Sequence, residues 1–127
     1  MLPANTRLRR RDEFTQTFWG GHRAGRGGLV VHLDLSPLAT GGGSAAEAGP
    51  ARVGFVVSRA VGNAVTRNLV TRRLRHLVRD RLGSLPAGSR LVIRALPSAA
   101  ERSPEVLGRD LDDALRRLLS RAGVGGP

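Results

Sequence analysis

Cysteine is absent from the 127 residues, which excludes disulfides, thiolate nucleophiles and cysteine-ligated zinc. Lysine and tyrosine are absent as well, and the aromatic residues are one tryptophan and three phenylalanines. So sparse a set cannot build the aromatic platform on which RNA-recognition motifs stack successive bases. No apolar run approaches the roughly 18 residues that a membrane-spanning helix requires, so no membrane partner is expected. The opening MLPANTRLRRRDEF is charged but has neither the apolar segment nor the cleavage site of a secretory signal, and a cytoplasmic location is the expectation. Acidic residues are the last shortage: ten stand against twenty-one arginines, for a net charge of +11.

What is present must therefore be read around that charge. An arginine-rich genome would explain why every cation is arginine, but not why cations outnumber acids two to one. An excess of this size points to a polyanionic partner, nucleic acid above all. The length fits a single domain over residues 1–127 with one core.

Along the chain, RDEFTQTFW (residues 11–19) places Phe14 and Phe18 four apart, on one side of a short helix that Gly20 and Gly21 end. LVVHLDL (Leu29–Leu35) alternates as a strand, with Leu29, Val31 and Leu33 on one face and Val30, His32 and Asp34 on the other. Residues 36–51, rich in small residues and without periodicity, form a flexible loop. RVGFVVS (Arg52–Ser58) reads as a second strand and RLVIRAL (Arg90–Leu96) as a third. A helix begins after Gly62, with Asn63 as its cap, and runs to about Leu82. Ser103, Pro104 and Glu105 open a last helix with Leu107, Leu111, Leu115, Leu118 and Ala122 on one stripe. Asp112–Arg116 and Asp113–Arg117 are its i,i+4 pairs. The tail, residues 123–127, frays. The fold class is an α/β sandwich in the order α-β-β-α-β-α, with helices packed on a small sheet.

The segment VSRAVGNAVTRNLVTRRLRHLVRD (residues 57–80) raises the functional question, because Asp80 is its one acidic residue. At about 100° per residue, Val70, Leu74, Leu77 and Val78 gather on one side and pack on the sheet. Asn68, Arg72, Arg75 and Arg79 fall together on the other side, with His76 beside them. Arginines on successive turns lie about 5–6 Å apart, near the spacing of adjacent phosphates, and each guanidinium grips a phosphate through two hydrogen bonds. A solvated basic face is the competing reading, but it leaves several unshielded like charges held together. The helix entrance, SRAVGNAV, adds backbone amides at a glycine turn that favour anions. Phe14 and Phe18 suit either the core or the wall of a groove that stacks unpaired bases.

Protein side chains offer no catalytic set. His22, His32 and His76 are scattered, and no serine–histidine–acid arrangement can be assembled from them. Asp110, Asp112 and Asp113 could in principle hold a divalent ion, but their pairing with Arg116 and Arg117 favours a solvated helix face.

VGFVVSRAVGNAVTRNLVTRRLRHLVRD resembles the signature of the bacterial ribonuclease P protein subunit: a VG-x-x-VS strand, a glycine turn, and a helix opening with an RNR-type motif. RLRRRDEFTQTFWGG is similar to that family's N-terminal segment and RLVIRALPSAA to its third strand and following turn. The resemblance implies a subunit that assists a catalytic RNA in removing the 5′ leader from precursor tRNA, with magnesium ions serving the RNA subunit and no cofactor held by the protein. The implied partners are the RNA subunit and the single-stranded leader, with no obligate protein partner. Arg67 and Asn68 match the first two RNR positions, and Arg72, Arg75 and Arg79 are basic positions further along the helix. Ser58, Arg59 and Asn63 belong to the helix entrance, Phe14 and Phe18 match a leader cleft, and Arg7, Arg9, Arg10 and Arg11 form the basic N-terminal stretch. The resemblance also implies a left-handed βαβ crossover, contrary to the usual right-handed rule. Leu69, Thr71 and Ala60 depart from positions that are commonly basic in that family. A structural RNA-binding protein, such as a small ribosomal protein, is the alternative. A DNA regulator is a third reading, but it would need a helix in front of residues 64–82, where the pattern reads as a strand.

Overall fold

The computed structural model describes residues 7, 8, 11, 17, 21–35 and 50–121. Four strands form one sheet: β1 (His22–Arg26), β2 (Leu29–Asp34), β3 (Arg52–Val57) and β4 (Arg90–Ala95). Two helices follow β3 and β4 respectively, α1 (Ala64–Arg79) and α2 (Pro104–Arg121). Short 3-10 turns cover Arg59–Val61, Leu82–Ser84 and Pro97–Glu101. The mixed α+β architecture is the expected class, with one strand more than the three anticipated. Of the expected first helix, Arg11 and Thr17 are described, and both are helical. Phe14, Phe18, Arg9 and Arg10, most of the 36–51 loop, and the tail lie outside the described residues.

The additional strand is β1, HRAGR, in which Ala24 alone is buried. Its place is set by its partner: it pairs antiparallel with β2 through the tight turn at Gly27 and Gly28. Gly27 takes φ +55 there, a left-handed conformation that L side chains resist. The strand order is β1-β2-β4-β3, with β4 antiparallel to β2 and parallel to β3. Neighbouring parallel strands cannot be joined by a hairpin, so the chain crosses between β3 and β4 through α1.

Cross-strand partners share a face, and the register sorts the residues cleanly. Leu33, Leu91 and Val53 lie side by side, as do Val31, Ile93 and Phe55, and then Leu29, Ala95 and Val57. Both helices cover this face. Val70, Leu74 and Val78 of α1, with Leu107, Leu111, Ala114, Leu115 and Leu118 of α2, join these strand residues in one apolar cluster. Each large side chain so buried stabilises the fold by about 1.5–3 kcal/mol relative to exposure. α2 lies over β1 and β2, and α1 over β3. The opposite face carries Arg52, Arg90, Arg94, Arg23, His32 and Asp34, with Val92 and Gly54 between them.

Helix ends follow local chemistry. The Asn63 side chain accepts the Thr66 amide at 2.9 Å, and Ser103 Oγ accepts the Val106 amide at 3.2 Å. Both caps were legible as such. α1 stops at Arg79, three residues short of the expected Leu82, where Arg81 Nη1 donates to the Leu77 carbonyl at 2.7 Å. The same Arg81 reaches α2, with Nε donating to Asp112 Oδ1 at 2.5 Å and Nη2 to Oδ2 at 3.2 Å. That hydrogen bond raises the Arg81 pKa above its ordinary value. The expected i,i+4 pairs on α2 are therefore corrected. Asp112 serves the neighbouring helix through Arg81, and Asp113 pairs with Arg116 at i,i+3, 3.4 Å away.

Candidate RNA-binding face

The face of α1 turned away from the core is set by the same periodicity that buries its apolar stripe. Asn68, Arg72, Arg75, His76 and Arg79 are all exposed, while Val70, Leu74 and Val78 are buried and Leu77 is half-buried. Arg79 is 3.8 Å from Asp80, a solvent-exposed pair that offsets little of the charge. Arg67 is half-buried on the flank of the helix, and its Nε has no hydrogen-bond partner. Thr71 Oγ1 donates to the Arg67 carbonyl at 2.9 Å, so this hydroxyl satisfies the backbone rather than pointing to a ligand. Arg73 turns the other way, with Nη1 donating to the Arg102 carbonyl at 3.4 Å. Leu69 is 40% exposed and Val65, one turn earlier, 78%. These two are the large apolar residues that the described surface leaves open, and they interrupt an otherwise cationic helix.

At the entrance, Ser58 and Arg59 are exposed on the turn before the helix, and Asn63 is exposed at its cap. Gly62 adopts φ +157, and a Cβ there would come within 2.9 Å of the Thr66 side chain. The turn thus needs glycine to bring Asn63 into capping position. The first-turn amides of Ala64 and Val65 have no intrahelical acceptor.

The basic helix does not stand alone. Arg7 forms a parallel bridge with Val53, and the Leu8 amide donates to the Val53 carbonyl at 2.9 Å, which docks the N-terminal segment along the free edge of β3. A cleft of about 190 Å³ opens there, lined by Arg7, Leu8, Val53, Gly54, Phe55 and Arg75. Arg7 and Arg75 were both expected site residues, and the fold brings them to one cleft across 68 positions of sequence. Arg11 is exposed. Phe55 was missed: it sits in a nearly continuous apolar strand and reads as core, yet it is half-buried and forms part of the cleft wall.

His32 belongs to the face of the sheet opposite α1 and α2 and is 1% exposed. Burial, and then the positive fields of Arg23 and Arg94, lower its pKa from the ordinary histidine value. Asp110, one of the residues weighed as a metal ligand, is instead bound to Arg102 at 3.3 Å. Among the described residues no group of three histidine or acidic side chains gathers in a way that could hold a metal ion. No helix among them is long and apolar enough to cross a membrane.

A strand, a glycine turn, a capped basic helix and a cationic cleft thus occur in fixed spatial order, and this order has counterparts in known proteins. The profile of the family described as Ribonuclease P matches residues 2–119. The chain belongs to the ribonuclease P protein family. The ribonuclease P protein component of Salinispora tropica is 56% identical over 124 residues, covering 91% of both chains. That of Streptomyces griseus is 56% identical over 122 residues, covering 94% of this chain and 96% of its own. Among solved structures, the RNase P protein of Thermotoga maritima superposes with a TM-score of 0.67 at 26% identity, over 88% of this chain and 96% of that one. The Staphylococcus aureus RNase P protein shares the fold, with a TM-score of 0.71 at 21% identity over 88% and 94% of the two chains. As a ribonuclease P component, the chain takes part in a ribonucleoprotein endoribonuclease and has an RNA partner.

Proposed function

We propose that the protein binds both the RNA subunit of ribonuclease P and the 5′ leader of precursor tRNA, and so assists endonucleolytic release of the leader. The observation that carries this reading is the cleft in which Arg7, Arg75 and Phe55 converge. Two guanidiniums beside an aromatic ring suit a single strand of RNA, whose phosphates and exposed bases need a cation and a flat apolar surface respectively. The exposed Asn68, Arg72 and Arg79, together with Arg67, Ser58, Arg59 and Asn63 at the entrance, present the same helix to a folded RNA backbone. Phe14 and Phe18, with Arg9, Arg10 and Arg11, are assigned to leader binding in this reading from the sequence pattern they share with the family.

In this reading the whole chain acts as one RNA-binding domain in the cytoplasm and needs no obligate protein partner. Its side chains position RNA, and the RNA subunit performs hydrolysis with magnesium ions. Asp110 and Asp112 support that division of labour, because each carboxylate is committed to an arginine. The alternative of a purely structural RNA-binding protein is not favoured by the family. The DNA-regulator reading fails on the strand Arg52–Val57, which stands where a helix-turn-helix requires a helix.

The deciding experiment mixes the protein with a bacterial ribonuclease P RNA and precursor tRNA at low magnesium. Cleavage faster than with the RNA alone is the expected result. An unchanged rate overturns the reading.

A further inference from the structure

Two contacts fix how α2 lies along β1. Asp110 accepts the Gly28 amide at the β1–β2 turn, and eleven residues later Arg121 Nη1 donates to the Arg23 carbonyl at 2.8 Å. The helix between these points and the strand from Gly28 back to Arg23 are each about 17 Å long, so α2 runs antiparallel to β1 along its length. At about 100° per residue, Asp110, Ala114, Arg117 and Arg121 form the stripe of α2 turned to this strand. Arg117 therefore stands between the two anchor points, and it is exposed.

β1 presents a cation on the same side. Arg26 is the cross-strand partner of Leu29 and shares the face of the buried Ala24, which α2 covers. Arg26 too is exposed. Neither Arg26 nor Arg117 has an acidic partner among the described residues, whereas Asp110 and Asp113 are taken by Arg102 and Arg116. Arg121 commits one Nη to a carbonyl and keeps its full charge.

Edge protection accounts for a cation on β1, the outermost strand of the described sheet. The helix dipole accounts for Arg121 in the last turn of α2. Neither accounts for Arg117, a turn further in and on the side of Arg26. Three like charges along one groove repel, and a bound polyanion relieves that repulsion.

The chemistry of the groove selects the anion. Neither β1 nor α2 carries an aromatic residue, so unpaired bases find nothing to stack on. The large apolar residues exposed on the described surface, Val65 and Leu69, belong to α1, so a lipid surface gains no apolar insertion here. A second copy pairing antiparallel along β1 would set its arginines against these. The phosphate backbone of a folded RNA, gripped by charge alone, is what fits. Arg117 and Arg121, one turn and about 5–6 Å apart, match adjacent phosphates.

Position decides which RNA. The groove lies at the β1 edge, while the Arg75 cleft opens at β3, three inter-strand gaps or about 14 Å away. The two sites face opposite edges of the sheet and so engage different RNA segments. A substrate must leave after each turnover, whereas a resident RNA gains affinity from being held at two separated sites. We propose that Arg26, Arg117 and Arg121 form a second docking site for the RNA subunit, gripping the backbone of a helical segment distinct from the one at α1. This rests on the RNA-subunit reading of α1 above and adds a second face to it.

The test measures binding of the full chain to a bacterial ribonuclease P RNA. Arg26→Gln is combined with Arg117→Gln, since neither side chain holds a described element in place. Affinity is expected to fall about tenfold at about 150 mM salt, with the log–log salt slope flatter by about 0.9 units per lost duplex contact. The loss should add to that of Arg72→Ala with Arg75→Ala, as losses at separated sites do. Arg26→Lys with Arg117→Lys, which keeps both charges, should recover most of it. Because the chain lacks cysteine, Ser120→Cys on the exposed side of α2 gives a single thiol to carry a tethered iron chelate. Its hydroxyl radicals should cut one helical segment of the RNA subunit, and no cleavage overturns the site. If the α1 variant alone loses affinity, the groove is overturned and the α1 reading stands. If the groove variant instead weakens only the binding of precursor tRNA by the holoenzyme, the groove faces substrate and the proposal is overturned. A wild-type chain without affinity for the RNA overturns both readings.

Discussion

The Asp110 carboxylate accepts the backbone amide of Gly28 at 3.2 Å, across 82 residues of sequence. The same carboxylate pairs with Arg102 at 3.3 Å, with the aspartate side chain only 14% exposed. One acidic residue of α2 thereby fastens the β1–β2 turn to the segment that leads into its own helix. The Gly28 carbonyl accepts the Leu96 amide at 2.8 Å, so the turn is held from both sides.

Removing that carboxylate leaves a partly buried arginine and a buried amide without their acceptor. Asp110→Ala is expected to cost about 2–3 kcal/mol of stability. Gly27→Ala should cost about 1–3 kcal/mol, because it forces a left-handed residue and drives its Cβ into the Asp110 carboxylate. Urea denaturation checks both, and a loss below about 0.5 kcal/mol for either would show that the turn is held by other contacts.

His32 makes stability depend on pH. Its folded pKa lies below the ordinary value of about 6.5, so near and below that value the unfolded chain binds more protons. The contribution is complete above about pH 6.5 and is lost as pH falls toward the folded pKa, with a slope of at most about 1.4 kcal/mol per pH unit for one proton. His32→Gln should flatten the fall in melting temperature between pH 7 and 5. A variant whose profile parallels the wild type would place the titration elsewhere.

Arg72 and Arg75 are exposed one turn apart on α1. If both contact phosphates of the RNA subunit, replacing them together with alanine lowers the log–log salt slope of binding by about two units on a duplex backbone and by less on single strands. Filter binding between 50 and 300 mM salt measures this. An unchanged slope with weakened affinity would indicate loss of packing in place of phosphate contacts. Thermal stability should stay within about 0.5 kcal/mol, since neither residue is buried.

The parts of this protein that were legible in its sequence are those decided by neighbours within one or two turns. The alternation of Leu29, Val31 and Leu33, the stripe of Val70, Leu74 and Val78, and the caps Asn63 and Ser103 all rest on local periodicity or local hydrogen bonding. β1 was not legible, because HRAGR buries one alanine and becomes a strand only through pairing with β2. The Arg81–Asp112 bond was missed for a related reason. On α2 alone, Asp112 faces Arg116 at helical spacing, and only the packing of α1 on α2 supplies a better partner. The cations on the sheet face opposite α1 and α2 needed the strand order itself. Arg23 and Arg94 are 71 positions apart in the chain and share a neighbourhood only because β4 lies beside β2. Phe55 illustrates the converse, where burial inferred from an apolar run concealed a residue at the open edge of a sheet.

Leu69 gives the sharpest test of how α1 meets RNA. It stands between Asn68 and Val70, is 40% exposed, and follows Val65, 78% exposed, by one turn. Such a pair contributes little to the core, so Leu69→Arg should change stability by no more than about 0.5 kcal/mol. Its new guanidinium would stand beside Asn68 and one turn before Arg72, about one turn from the first-turn amides that favour an anion. Affinity for a bacterial ribonuclease P RNA is expected to rise several-fold at 150 mM salt, with a steeper salt slope by about 0.9 units for one added duplex phosphate contact. Val65→Arg serves as the comparison, since it adds the same charge one turn earlier. If Leu69→Arg brings no gain, the RNA backbone does not pass over this turn of the helix, and Leu69 with Val65 meets a ribose or base instead. Leu69→Ser would then weaken binding with no change in salt slope, the signature of lost apolar contact.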